Sequence, residues 1–154
     1  YTHYLTLNAG QVTYTAAQTA DTYNEEGMAA APGSRDYSAF TVFCNYYAQP
    51  ELLFDVPPSC FLPQPKVTSS VIRLNVRQAP PYPVADEELF FRVVRASFAQ
   101  RRKQLQNGLA AGFPALGKEI IGDILRNCGL SPTVRGETLD IPTFARIAAA
   151  IGRA

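Results

Sequence analysis

Eight of the twelve prolines in this 154-residue chain lie between Pro50 and Pro83, and that placement limits the fold more than any other feature. Proline fixes φ near −65° and has no amide hydrogen to donate, so such a segment holds neither a long helix nor the interior of a wide sheet. Helix has to stop before Pro50, and strands have to run in the gaps. Leu52-Leu53-Phe54-Asp55-Val56, which runs into Pro57-Pro58, and the stretch from Val67 to Val76 fit those gaps. They predict two antiparallel strands around a loop from Pro57 to Lys66. Pro80, Pro81 and Pro83 then form a stiff extended linker that divides the chain at about residue 82.

Upstream of this segment, Tyr4-Leu5-Thr6-Leu7 and Gln11-Val12-Thr13-Tyr14-Thr15 are separated by Asn8-Ala9-Gly10, a pattern that suits a hairpin or two strand ends. Residues 16–31 are small and polar, and Pro32-Gly33-Ser34 marks a turn. Phe40, Val42, Phe43, Tyr46 and Tyr47 recur mainly every three to four residues, which predicts a short buried helix over 37–47. The chain begins with Tyr1 rather than methionine, so a fragment or processed product is the expectation.

Beyond the linker the period becomes helical. Asp86 suits an N-cap, Glu87 and Glu88 suit the positive end of a helix dipole, and Leu89, Phe90, Val93, Val94 and Phe98 make an apolar face. The phase weakens from Ala99 to Arg102, which allows a break before Leu105 and Leu109. A further helix is expected from Gly117 to Asn127, with Ile120, Ile121, Ile124 and Leu125 inward and Gly129 as its stop. The last starts near Pro142 and carries Phe144, Ile147 and Ile151.

With 47% apolar and 18% charged residues the composition is that of an ordinary globular chain. No apolar run reaches the roughly 20 residues of a membrane helix, and nothing reads as a signal peptide, so a cytoplasmic protein with no membrane partner is expected. Cys44, Cys60 and Cys128 are widely spaced beside a single histidine, His3. They read as three free, largely buried thiols, with neither a disulfide framework nor a metal site. A monomer is the default. Residues 1–80 carry four Lys/Arg against six Asp/Glu, and residues 81–154 carry ten against seven. Arg92, Arg95, Arg101, Arg102 and Lys103 fall within twelve residues that contain no acid, and this local field points to a polyanionic partner.

Two segments carry chemistry. In Cys60-Phe61-Leu62-Pro63-Gln64-Pro65-Lys66-Val67 the alternate prolines make a rigid loop. Such a loop can hold the Phe61 ring for stacking on an unpaired base, an interaction worth about 1 to 3 kcal/mol, although composition alone favours a core place for Phe61. In the basic segment, residues on a helix point about 100° apart, so Arg101, Arg102 and Lys103 would fan across a broad face and touch several phosphates. The plain alternative is a solvated face. Arg135 and Arg146 could likewise cap a helix or pair with Glu137 or Asp140.

Phe61-x-Pro63-x-Pro65-Lys66-Val67-x-Ser69-x-Val71, preceded by Leu53-Phe54-Asp55-Val56-Pro57-Pro58, resembles the late catalytic-domain motif of the ribosomal RNA adenine dimethyltransferases of KsgA type. Phe98-Ala99-Gln100-Arg101-Arg102-Lys103-Gln104-Leu105 resembles the basic element of that family's C-terminal helical domain. Cys128-Gly129-Leu130-Ser131-Pro132-Thr133-Val134-Arg135-Gly136-Glu137, with Phe144-Ala145-Arg146-Ile147-Ala148, resembles its closing segment. The resemblance covers residues 28–154, in order.

The resemblance implies an α/β fold: the C-terminal part of a Rossmann-like methyltransferase domain, with an antiparallel strand pair plus helix, followed by a small all-α domain. Residues 1–80 would be an incomplete catalytic remnant with 1–27 divergent, 81–85 a linker and 86–154 a helical rRNA-binding domain. The implied family reaction transfers two methyl groups from S-adenosylmethionine to N6 of each of two adjacent adenosines in 16S, small-subunit ribosomal RNA. Phe61 would stack on the flipped adenine, Pro63 and Pro65 would stiffen that wall, and Lys66 would meet a phosphate or lie solvated. Arg95, Arg101, Arg102, Lys103, Arg135 and Arg146 would contact RNA, and the partner would be the rRNA or the immature small subunit.

The family's glycine-rich donor loop and its Asn-x-Pro-Tyr motif have no counterpart here. The chain is therefore expected to bind no methyl donor alone and to be inactive by itself. A non-enzymatic RNA-binding or ribosome-assembly module is the alternative reading, and a helical protein-interaction domain with a spectator basic patch is a third.

Overall fold

Pairing of the two proline-bounded strands sets the first half of the fold. In the computed structural model, which describes residues 3–8, 11–16, 30–64, 66 and 69–154, β3 (Ala48–Val56) and β4 (Ser69–Val76) run antiparallel as expected. Their register shifts between Leu52, which faces Ile72, and Phe54, which faces Val71, so Leu53 is an extra residue that bends the edge strand. The expected N-terminal hairpin is present as β1 (His3–Asn8) and β2 (Gln11–Ala16). It does more than close on itself: β2 pairs antiparallel with β4, giving the order β1-β2-β4-β3.

Helix α1 (Ala39–Tyr47) begins where the Ser38 amide donates to Thr41 Oγ1 (3.1 Å) and passes directly into β3, because Pro50 forbids its continuation. Arg77 closes its carbonyl end, with Nε on the Asn45 carbonyl (3.0 Å) and its amide on the Tyr47 carbonyl (2.8 Å). The expected short buried helix is only partly buried, since Phe43 is 49% and Tyr47 40% exposed. One side of α1 sends Val42 and Tyr46 into the main core, while Cys44 packs between Phe40 and Leu74 of β4 in a second, smaller cluster. The third side is left to solvent, where Phe43 and Tyr47 gather against Phe91 at ring distances of 5.6 and 5.8 Å.

The second half is helical, with no strand among the described residues after Val76. Helix α2 (Glu87–Ala99) is capped by Asp86 Oδ1, which accepts from the Leu89 amide (3.0 Å). It stops where the apolar phase fades, and α3 (Leu105–Gly112) follows. Helix α4 (Gly117–Asn127) ends at Gly129 with φ +76°, where the Leu130 amide donates to Leu125 (3.0 Å) and that of Gly129 to Arg126 (2.9 Å). This double closure needs a left-handed residue, which glycine supplies without strain. Helix α5 (Ile141–Arg153) has Pro142 in its first turn and the Asp140 cap on the Thr143 amide (2.9 Å).

Phe90, Val93, Val94, Leu105, Leu109, Ile121, Leu125, Phe144 and Ile147 form a buried cluster that also takes in Tyr37, Val42 and Tyr46, so apolar packing is continuous across residue 82. Ile120, expected inward, is 45% exposed. The buried arc of α4 centres on Ile121, Ile124 and Leu125, and a residue 100° before Ile121 falls off its edge. Of the three free cysteines Cys44 is buried, Cys128 half-buried and Cys60 exposed, so the expectation of largely buried thiols fails at the proline loop.

Buried acids make the fold sensitive to alkali. The Tyr37 hydroxyl donates to the Leu139 carbonyl (2.7 Å), and burial, with a smaller effect from the Asp140 carboxylate, holds its pKa far above the usual tyrosine value. Burial raises the Cys44 thiol from 9.0 to about 11. Both groups stay protonated in the fold where the unfolded chain would ionise, so their contribution is complete below the unfolded value and is lost as pH rises. Urea midpoints should fall from about pH 9 upward. Tyr37→Phe should lower the neutral-pH plateau by about 0.5 to 1.5 kcal/mol and flatten the alkaline decline. An unchanged decline would assign it elsewhere.

Candidate nucleic-acid interface

The basic residues sit where α2 gives way to α3. Gln100 to Gln104 form a turn closed by the Lys103 amide on the Gln100 carbonyl (2.8 Å), and Leu105 pins the far side by donating to the Val134 carbonyl (2.8 Å) and burying its side chain. Arg101, Arg102 and Lys103 therefore lie in a turn and do not fan around a helix. The break between α2 and α3 removes the helical phase on which that arrangement depends. The turn instead places them beyond the carbonyl end of α2, where the helix dipole favours positive charge.

The five clustered cations separate into two kinds. Arg92 lies over the Phe113 ring at 4.4 Å and donates from Nη2 to the Gly112 carbonyl (2.8 Å). Arg101 is held by Glu137 at 2.8 Å and by the Ser34 and Arg35 carbonyls at 3.1 and 2.5 Å. Arg95, Arg102 and Lys103 are exposed and have no side-chain ion pair or hydrogen bond among the described residues. Arg95 stands one helical turn before Ala99, roughly 6 Å upstream of the turn. Of the flanking arginines, Arg135 reaches Glu137 only at 3.9 Å, and Arg146 donates to Thr143 Oγ1 (3.2 Å). Both are exposed.

The proline loop leaves β3 through a single 3-10 turn, Pro58–Cys60, closed by Cys60 on the Pro57 carbonyl (3.1 Å) and Phe61 on that of Pro58 (3.2 Å). Phe61 is half-buried and, among the described residues, joins neither apolar cluster. Leu62, Pro63, Gln64 and Lys66 are exposed, whereas Pro65 lies outside the described residues. Loop and basic turn thus sit on different elements, the one behind β3 and the other between α2 and α3.

Sequence reading missed the anchoring partners. Glu137 is 36 positions from Arg101, and no spacing rule joins them. Phe113 under Arg92 is 21 positions away, again beyond any local spacing rule.

A methyl-donor nucleoside is held in α/β folds at the carboxyl ends of parallel strands, over a glycine-rich turn into a helix. Every strand pair described here is antiparallel, and the chain has no Gly-x-Gly. The described residues do not fit that group. Among them there is also no cluster of three metal-ligating side chains and no helix long and apolar enough to cross a membrane.

The family model for ribosomal RNA adenine dimethylase matches residues 22–141. Ribosomal RNA small subunit methyltransferase A of Caldanaerobacter subterraneus subsp. tengcongensis is 49% identical over 127 residues, covering 82% of this chain and 46% of that protein. Its namesake from Geobacillus kaustophilus is 49% identical over 126 residues, covering 80% and 43%. The chain therefore spans less than half the length of these curated relatives. Among solved structures, a dimethyladenosine transferase from Plasmodium falciparum superposes with a TM-score of 0.70 at 20% identity, over 83% of this chain and 53% of that one. The 23S rRNA methyltransferase ErmE gives 0.51 at 22%, over 79% and 50%. These two likenesses concern the fold alone, a Rossmann-like α/β part followed by helices.

Proposed function

Since the chain belongs to the ribosomal RNA adenine dimethylase family, we propose that it is the RNA-holding and target-side part of an adenine N6-dimethyltransferase that acts on small-subunit ribosomal RNA. The observation that carries this reading is the trio Arg95, Arg102 and Lys103, exposed and, among the described residues, without anionic partners toward the carbonyl end of α2. Cations left unpaired at that end of a helix are disposed to take phosphates. Residues 86–154 form the RNA-holding unit, joined through 81–85 to the catalytic remnant in 1–80. Phe61 stacks on the target adenine from a loop stiffened by Pro63 and Pro65, with Lys66 toward the backbone. Arg135 and Arg146 add weaker phosphate contacts.

The lack of a fitting donor seat among the described residues favours a second use of the same surface, as an RNA-binding module that does not itself methylate. One measurement separates both from a spectator patch. Arg102→Ala with Lys103→Ala should weaken binding to a small-subunit rRNA fragment and reduce the log-log salt slope by roughly 0.7 to 0.9 per lost contact. The melting temperature should hardly change, because exposed charges contribute little to stability. Unchanged affinity and slope would make the patch a solvated face.

A further inference from the structure

Arg101 stands apart from its two basic neighbours by what it already holds. Its Nε donates to Glu137 Oε2 (2.8 Å), and its Nη2 donates to the carbonyl oxygens of Ser34 (3.1 Å) and Arg35 (2.5 Å). An arginine grips an anion bidentately along the Nε–Nη2 edge or the Nη1–Nη2 edge. Both edges include Nη2, and its two hydrogens are spent on main-chain carbonyls. Only Nη1 remains, and any phosphate approaching it meets the Glu137 carboxylate already seated on the same guanidinium.

Two further bonds join two of these segments, the one before α1 and the one around residues 136–139. The Gly33 amide donates to the Glu137 carbonyl (2.6 Å), and the Tyr37 hydroxyl donates to that of Leu139 (2.7 Å). Arg101 thus joins the turn before α1, the Gly136–Thr138 turn and the α2–α3 turn at one point. The neighbours that follow it in sequence, Arg102 and Lys103, are two of the three cations of the patch that are exposed and, among the described residues, unpaired.

We propose that Arg101 is a positioning residue and not a phosphate ligand: its guanidinium clips the residues 34–35 turn and Glu137 to the α2–α3 turn, and so fixes the direction in which Arg102 and Lys103 present their charges. The proposal rests on the reading of that patch as an RNA surface. It predicts that affinity and salt dependence come apart at Arg101 while falling together at its neighbours.

The test uses the whole chain with a small-subunit rRNA fragment, titrated over a salt series below the melting temperature of every variant. Arg101→Ala should weaken binding about threefold to thirtyfold, the range of a coupled contact, and leave the log-log salt slope unchanged. Arg102→Ala should lower that slope by roughly 0.7 to 0.9. Arg101→Lys should bind as poorly as Arg101→Ala, because one ammonium cannot span a carboxylate and two carbonyls on separate segments. In denaturant melts, Arg101→Ala and Glu137→Gln should be non-additive. A slope loss at Arg101 equal to that at Arg102, rescue by lysine, or full RNA affinity in Arg101→Ala would each overturn the assignment. If the unmodified chain shows no salt-dependent RNA binding, the RNA reading falls, and the melts still decide whether the clip exists.

Discussion

Gly108→Val is expected to cost the fold about 3 kcal/mol or more, which in a chain of this size lowers the melting temperature by about 6 to 12 °C. A Cβ at Gly108 would lie 2.6 Å from the Ala96 carbonyl oxygen, and one at Gly112 would lie 2.7 Å from the Ala96 Cβ. The two glycines, one turn apart on α3, let that helix cross α2 at backbone contact. Helix propensity alone would reward alanine by about 1 kcal/mol and valine by less, so the sign depends on whether the neighbour can yield. A helical carbonyl cannot. Gly122 offers the control, since a Cβ there meets only the end of the Gln106 side chain at 2.7 Å. Gln106 can swing away at the cost of one exposed hydrogen bond to Lys118, so Gly122→Ala should melt within about 1 kcal/mol of the parent. If Gly108→Val melts like Gly122→Ala, the helix crossing is looser than described.

Methyl transfer should slow about tenfold to a hundredfold on Phe61→Ala in a chimera that joins the upstream half of the Geobacillus kaustophilus relative to residues 28–154 of this chain. That range is a lost stacking contact of about 1 to 3 kcal/mol expressed in the transition state. Phe61→Tyr and Phe61→Trp should keep more of the rate. The competing account, a packing role, would cost about 3 to 5 kcal/mol of stability on truncation. Phe61 is half-buried and outside both apolar clusters, so its melting temperature should change little. Single-turnover methylation beside thermal melts decides between them. Lowered melting with normal transfer by the folded fraction would remove the stacking role.

Local punctuation in the sequence is what made the elements legible. Pro50 keeps α1 from continuing and Pro57 ends β3, Asp86 and Asp140 cap α2 and α5, and Gly129 ends α4, and each acts within a few residues of its own position. The fading phase after Ala99 likewise marks the α2–α3 break. The error at the basic turn came from extending helical geometry across that break. What could not be read were pairings that sequence distance hides: β2 on β4, Arg101 on Glu137, Arg92 on Phe113. No local propensity encodes these. Composition counted the basic cluster as five equivalent cations, whereas two are braces within the fold.

The sheet order also dictates a sequence of assembly. Of the two central strands, β4 is the last of the four in the chain, and Gln11 finds its partner in Asn75, 64 positions later. The hairpin and β3 share no ladder, so neither can recruit the other before β4 exists. Helices α2 to α5 need mainly neighbours in sequence, and contacts of that kind close sooner than distant strand pairings. On a growing chain the β1–β2 hairpin is made before β3 and β4 yet is among the last of these pieces to be fixed, waiting with one edge unpaired until the ribosome has delivered residue 76.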